Sequence, residues 1–380
     1  MSAASVVALL FAAVSAAGVI FHLWAARLVR RFVTAPRPTA AQRPPASVLK
    51  PLCGDEPGLA DNLRAVCRQD YPEIQVVCGA RRGDTALAVA EAVGREFPAV
   101  ALAVVADDRR HGANLKVGNL LNMLPYARHD LLVIADSDVR AGPGYLDDVA
   151  AAFADPGVGL VTCLYVGHPA AGLWSRLGAM GINHGFLPAA LAARALGRRD
   201  GCFGATMALR RRLLDEIGGL EPLADKLADD WALGAAVRVS GRAIALTARP
   251  VDLIVHEPDL GSLLGHEIRW GRTIAAIDRP SYLASVLTQP LVFAALATAV
   301  GGAPWAAMLA VAAAGRWWAI RREEKALGLP PAPLFLLILR EVLSFAVFVA
   351  ACCGRTVSWR GQRLRLRRDG TLRQPGEASP

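Results

Sequence analysis

Two carboxylates one residue apart close an apolar run, Leu131-Leu132-Val133-Ile134-Ala135-Asp136-Ser137-Asp138, and Val139-Arg140 and a Gly-Pro-Gly turn follow. Hard oxygen ligands at the end of such a run suit Mg²⁺ or Mn²⁺ held jointly with a diphosphate. The same three residues also favour turns and helix caps. A second acidic pair, Asp229-Asp230, precedes Trp231 and a helical run to Val239. Acids in a first helical turn gain from the helix dipole and need no further role. A third patch is His266-Glu267-Ile268-Arg269-Trp270. There His266 and Arg269, three apart, share one helix face. A tryptophan flanked by bases also fits a membrane interface.

These side chains need a scaffold. Short apolar runs at Ala46–Leu52, Ile74–Ala80, Val100–Ala106, Leu131–Ala135 and Val158–Tyr165 predict strands. Helical patterns at Leu59–Cys67, Asp84–Phe97, Leu115–Met123 and Pro143–Phe153 lie between them. Strands alternating with helices predict an α/β domain with a mostly parallel sheet covered on both faces. Ligands of such sheets bind outside the carboxyl ends of the strands. Asp136 and Asp138 occupy that position.

The surrounding chain is too apolar for a purely cytosolic protein. Of 380 residues 54% are hydrophobic and 20% charged, and the mean hydropathy is +0.34. Intrinsic disorder is excluded. Seven scattered cysteines contain no CxxC, so neither a zinc ribbon nor a disulfide scaffold is indicated. No charge falls between Ser2 and Ala26, and Arg27, Arg30 and Arg31 come next. This predicts an uncleaved anchor over residues 1–32 with its C-terminal side in the cytosol. A globular part at 33–280 follows a Pro/Ala-rich linker. Residues 281–354 hold further apolar stretches, from Pro280 to Gly315 and from Ala326 to Gly354, read as two or three spans. Arg340 and Glu341 inside the last stretch face other helices or a polar cavity, or else make it an interfacial helix. The tail at 355–380 begins with Arg355, Arg360, Arg363, Arg365, Arg367 and Arg368. That run reads as a contact to anionic headgroups, and no nucleic-acid motif accompanies it.

Asp84, Asp136-Ser137-Asp138, Asp230 and His266-x-x-Arg269-Trp270 together resemble the D, DxD, D, (Q/R/H)xxRW series of membrane-bound, inverting GT-A glycosyltransferases. Within these the chain is similar to the ceramide glucosyltransferase branch, and most of all to the bacterial hopanoid-biosynthesis glycosyltransferases. Lys50-Pro51-Leu52-Cys53-Gly54-Asp55-Glu56-Pro57-Gly58, Asp70-Tyr71-Pro72, Asn114 to Leu120 and Gly201 to Thr206 support the likeness. Two departures stand out. Arg81-Arg82-Gly83 precedes Asp84 where the family is more acidic, and His266 replaces the commoner Gln or Arg.

The resemblance implies a GT-A domain between N- and C-terminal transmembrane helices, in a bacterial inner-membrane protein whose catalytic domain faces the cytosol. It implies a UDP-sugar donor, a membrane lipid acceptor, no nucleic acid, and Mg²⁺ or Mn²⁺ on Asp138 and Asp136. Asp230 is the implied base, with Arg269 and Trp270 completing the catalytic set. Lys50, Asp84, Asp136 and Lys116 fall on the nucleotide-sugar side. His184, Trp231 and His266 fall on the acceptor side. The 170–196 stretch around His184 reads as amphipathic helices at the membrane surface.

Overall fold

Along each central strand, alternate residues feed two different cores. Leu131, Val133 and Ala135 pack on one side with Leu63, Ala90 and Tyr145. Leu132 and Ile134 pack on the other with Leu120, Met123 and Leu233. Strand side chains alternate in direction, so a sheet buried on both faces needs such a continuous apolar run.

The computed structural model describes residues 2–354, 356–359, 362–367 and 370–373. A long helix, α1 (Ala3–Thr34), leads into β1 (Ala46–Pro51), α2 (Leu59–Cys67), β2 (Ile74–Ala80), α3 (Thr85–Glu96), β3 (Ala101–Ala106), α4 (Leu115–Met123) and β4 (Leu131–Ala135). Then come β5 (Val139–Arg140), α5 (Tyr145–Ala152), β6 (Val158–Thr162), β7 (Tyr165–Pro169), α6 (Gly172–Gly181) and α7 (Leu187–Ala195). The globular part ends with β8 (Thr206–Arg210), α8 (Arg211–Glu216), α9 (Asp229–Val239), β9 (Ala243–Leu246), β10 (Val251–Val255) and α10 (Leu260–Ile277). Behind it lie α11 (Arg279–Ala284), α12 (Pro290–Gly301), α13 (Ala306–Leu327), α14 (Leu334–Cys352), β11 (Thr356–Trp359), β12 (Gln362–Leu366) and β13 (Leu372–Arg373).

The main sheet has seven strands in the order β3-β2-β1-β4-β8-β6-β9. All run parallel except β8, which is antiparallel to both β4 and β6. Strand order reverses between β1 and β4, and that switch point opens the crevice where a ligand fits. A smaller sheet, β5-β10-β7, stands beside it.

The predicted strand Val158–Tyr165 is in fact two. The Thr162 hydroxyl is bound to the Phe203 and Thr206 carbonyls, at 2.9 and 3.0 Å, and ties β6 to the main sheet. Asn183 clamps the Gly167 N–H and C=O, both at 2.8 Å, and draws β7 toward the helical layer. No turn residue announces this break.

The membrane-type helices pack on α1. The Ser15 hydroxyl donates to the Pro290 carbonyl at 2.8 Å, and Val19 packs with Ala294 and Ala312. By length and composition α1 and α14 could each cross a membrane, and the pair Arg279–Thr288 and Pro290–Gly301, bent by 66°, would make a third span if counted as one. The basic tail is not a free arm where it is described. Val357, Leu364, Leu366 and Leu372 pack on Leu227 of the globular part. Arg355, Arg360 and Arg368 lie outside the described residues.

Candidate active site

Lys50, at the end of β1, sits under the switch point rather than in its wall. It is fully buried and donates to the carbonyls of Asp136 at 2.5 Å and Val139 at 3.0 Å. Expected to line the nucleotide pocket, it instead staples the Asp136–Arg140 loop from below. An ammonium with both contacts spent on backbone, and no exposed surface, is a support and not a pocket wall. Burial lowers its pKa, against the pull of Asp138 and Asp136. Further bonds fix the same loop. Asn62 donates to the Ser137 carbonyl at 3.0 Å, and Ile254 N–H to the Asp138 carbonyl at 2.9 Å.

The backbone so pinned leaves the two carboxylates to interact above it. Asp136 pairs with Lys116 at 2.6 Å. Lys116 also lies 3.5 Å from Asp229. Its place is set by Asn114, which caps α4 by accepting from the Lys116 and Val117 N–H groups. Burial opposes the charge on Lys116, but Asp136, Asp229 and Asp230 hold its pKa above the ordinary value. Among the described residues Asp138 has no such ion pair. Its Oδ1 is buried without a hydrogen-bond partner among the described residues. Burial, then Asp136 and Glu56, push its carboxyl up to about 8 against the pull of Lys50 and Lys116.

This excess of negative charge fits a cation. Among the described residues no cluster of three or more His, Cys, Asp or Glu forms a ready-made metal site. An ion shared with a diphosphate needs only one or two protein carboxylates. The donor set therefore fits a diphosphate-bound Mg²⁺ or Mn²⁺, not a resident structural metal.

Asp230 opens α9 across the crevice. Its Oδ2 accepts the Gly204 N–H at 2.9 Å and its Oδ1 the Trp231 N–H at 2.7 Å. Gly204 lets the carboxylate sit close, because a Cβ there would stand 3.2 Å from Oδ2 and press on it. Burial and Asp229 push the Asp230 carboxyl up to about 6, while Lys116 and the two N–H groups pull it down. Such a carboxylate is ionised at neutral pH yet poised to take a proton.

Other predicted site residues are more dispersed. Asp84 caps α3, and both its oxygens accept the Gly54 N–H, at 2.9 and 3.1 Å. It thereby holds the Gly54–Gly58 loop over the strand ends. On α10, His266 bonds Glu257 at 2.8 Å and meets Trp270 edge-on at 4.3 Å between ring centroids. Arg269 is half-buried on the same helix, and Trp270 packs on the larger core. Trp231 is half-buried beside Asp230.

His184 is engaged elsewhere. It lies in a π-helical segment, Ile182–Phe186, and its Nδ1 is 2.9 Å from Glu323 of α13. Phe186 of that segment stacks on Tyr165 and meets Phe203, next to Gly204. An aromatic layer thus separates His184 from the carboxylates. Sequence reasoning gave Glu257 and Glu56 no role. An acid following a buried strand, and an acid inside a glycine-bounded loop at a strand end, were the available signals.

A mixed sheet of this order, with paired aspartates over its switch point, defines a GT-A-like nucleotide-sugar transferase fold. A mannosyltransferase of Pyrobaculum calidifontis, solved with GDP-Man and Mn²⁺, shares it with a TM-score of 0.52 at 20% identity, over 92% of this chain and 98% of that one. The profile of glycosyl transferase family 21 matches residues 7–372, and the chain belongs to that family. It is 25% identical over 211 residues to ceramide glucosyltransferase 1 of Caenorhabditis elegans, covering 54% of this chain and 45% of the relative. A ceramide glucosyltransferase of Komagataella phaffii is 30% identical over 114 residues, 29% of this chain and 22% of that protein. The chain thus spans about half the length, or less, of these curated relatives.

Proposed function

We propose that this protein is an inverting glycosyltransferase that moves a hexose, N-acetylglucosamine, from a UDP-sugar to the hydroxyl of a membrane lipid, a hopanoid polyol. The observation that carries the transferase reading is Asp230: a half-buried carboxylate fixed by two N–H groups, across a crevice from Asp136 and Asp138. In this reading Asp230 removes the acceptor hydroxyl proton as the oxygen attacks the anomeric carbon, from the face opposite the departing UDP. The developing charge on the UDP is met by Lys116 and Arg269. Lys50 and Asn62 hold the Asp136–Arg140 loop so that Asp136 and Asp138 need not reorganise. Asp138, with Asp136, holds the divalent ion, which when bound acts as a Lewis acid on the diphosphate. Asp84 orders the loop on the uridine side. Trp270, Trp231 and His266 face the sugar and acceptor. The enzyme sits in the bacterial inner membrane with this site toward the cytosol.

The names of the curated relatives favour a second reading, ceramide with UDP-glucose. One assay separates the two. Detergent-solubilised protein with Mn²⁺ is given each UDP-sugar with each lipid, and products are read by mass. A glycosylated hopanoid is expected. Glycosylated ceramide would replace the acceptor and keep the mechanism, and donor binding without any product would remove both acceptors.

The base also predicts a pH profile. Only ionised Asp230 can accept the proton, so kcat/KM should rise with pH through about 6 and level off above it. Because Lys116 pulls this pKa down, Lys116→Met should move that limb to higher pH. A limb that stays in place in the variant would assign it to another group.

A further inference from the structure

Two helices behind the catalytic domain begin and end on the same partner, and that limits how many times the chain can cross a membrane between them. At the start of the C-terminal region, Asp278 and Ser281 bond Arg198, just past the end of α7, both at 2.8 Å. At the far end of the α12–α13 hairpin, Glu323 bonds His184, and Leu327 and Leu329 pack with Leu164 and Leu187. Both ends therefore rest on the 164–198 region of one domain. An excursion that returns to the same domain makes an even number of crossings. Two straight crossings do not fit the uncharged parts of α12 and α13, and the 279–288 segment before α12 is bent from it by 66°. α12 has 12 residues, about 18 Å at 1.5 Å per residue. The apolar part of α13, from Ala306 to Gly315, is shorter, and the hydrocarbon core is about 30 Å thick. The turn at Gly302, with φ +80°, sends the chain back.

The same reasoning holds for α14. Before it, Ala332 N–H donates to Glu324 at 2.8 Å, and Leu336 and Leu337 pack with Leu177 and Leu263. After it, Arg272 of α10 donates to the Ala350 carbonyl and also bonds the Thr356 carbonyl, and Leu372 N–H donates to the Asp225 carbonyl at 2.8 Å. One helix between two points on one domain crosses zero times. Its charges agree. Arg340 forks onto Glu267 of α10 and reaches the Leu177 carbonyl, and Glu341 pairs with Arg316 at 2.7 Å. The opposite face, with Leu334, Phe335, Ile338, Val342 and Val349, is exposed and wholly apolar. On α13, Arg321 and Arg322 lie over the rings of Trp317 and Trp318. Tryptophan with a snorkelling base marks the headgroup level.

We propose that only α1 crosses the bilayer, that α12–α13 is a re-entrant hairpin, and that α14 lies in the catalytic-side leaflet with its apolar face in the acyl chains. The partner of this surface is one leaflet of a phospholipid bilayer. The arrangement seats α10, with His266, Arg269 and Trp270, directly on the leaflet helix.

Side-selective labelling tests it. Cys53, Cys352 and Cys353 are the exposed cysteines among the described residues. Variants keep one reporter each: Cys53 for the catalytic domain, Lys325→Cys before α14, Cys353 after it, and Ala303→Cys at the hairpin tip. A membrane-impermeant maleimide is applied to sealed vesicles of either orientation. Cys53, Cys353 and the Lys325→Cys thiol are expected to label from one common side, and the tip from neither until detergent is added. Labelling of the Lys325→Cys thiol and Cys353 from opposite sides would make α14 a span and overturn the proposal. So would a tip labelled from either side of an intact vesicle. Cys53 and Cys353 are native, so that comparison stands even if the other substitutions fail to fold.

Discussion

Asp230→Asn is expected to lower turnover by about a thousandfold while leaving UDP-sugar affinity nearly unchanged. Positioned general bases contribute roughly 10²–10⁴ in rate. The asparagine side chain has the same shape, and its oxygen can still accept the Gly204 N–H that Asp230 accepts at 2.9 Å. Its amide nitrogen cannot accept the Trp231 N–H that Oδ1 accepts at 2.7 Å, and proton acceptance is lost with it. The donor is held by other groups, so binding of UDP by calorimetry should survive. Substitution from the neighbouring side gives a complementary test of position. Gly204→Ala would put a methyl against Oδ2, and should reduce turnover by displacing the carboxylate without removing it. Near-normal turnover of Asp230→Asn would show that the base lies elsewhere, with Asp229 the next group to try.

Asp138→Asn should bring an opposite pair of changes. Activity should fall by about a hundredfold or more, because the divalent ion loses a hard anionic ligand. Stability of the free protein should rise. In the free protein the Asp138 carboxyl is buried beside Asp136 and Glu56, its Oδ1 has no partner among the described residues, and its pKa is pushed up to about 8. At neutral pH this carboxyl is held mostly protonated, against its ordinary titration, and replacing such a group at a functional site commonly gains ~0.5–2 kcal/mol. Two measurements check this: Mn²⁺-dependent binding of UDP, and chemical denaturation in chelator. Retained Mn²⁺ dependence would place the ion on other ligands. A fall in stability would mean the carboxylate holds the loop together and does not strain it.

Much of the catalytic half could be read from residue order. The first four strands and the three helices between them fall within one residue of expectation because each run is apolar, short and bounded by polar turns. What long-range pairing decides was not legible. Thr206–Arg210 carried a motif but no strand signature, and it becomes the antiparallel β8 only through pairing with β4 and β6. The break between β6 and β7 depends on Asn183, which lies 16 residues beyond Gly167 in sequence. The described part of the arginine-rich tail hides strands whose four buried apolar residues are spaced among charges. At the site, the acids were visible as types and spacings. The split between Lys50 below the loop and Lys116 above it was not, because a buried lysine and a pocket lysine look alike in a sequence.

The π-helical turn at Ile182–Phe186 has a consequence for how this protein can change over time. A π turn holds one residue more than an α turn. It lets Ile182, Asn183 and His184 all be buried in different directions before Phe186 meets the aromatic layer. Losing a single residue there would rotate α7 by about 100° relative to α6, since an α-helix advances 3.6 residues per turn. A point substitution in this segment disturbs the contacts of one side chain, whereas a deletion would unseat Asn183, His184 and Phe186 together. The segment is therefore constrained in length more tightly than in composition, and a comparison of natural variants should find no gaps there.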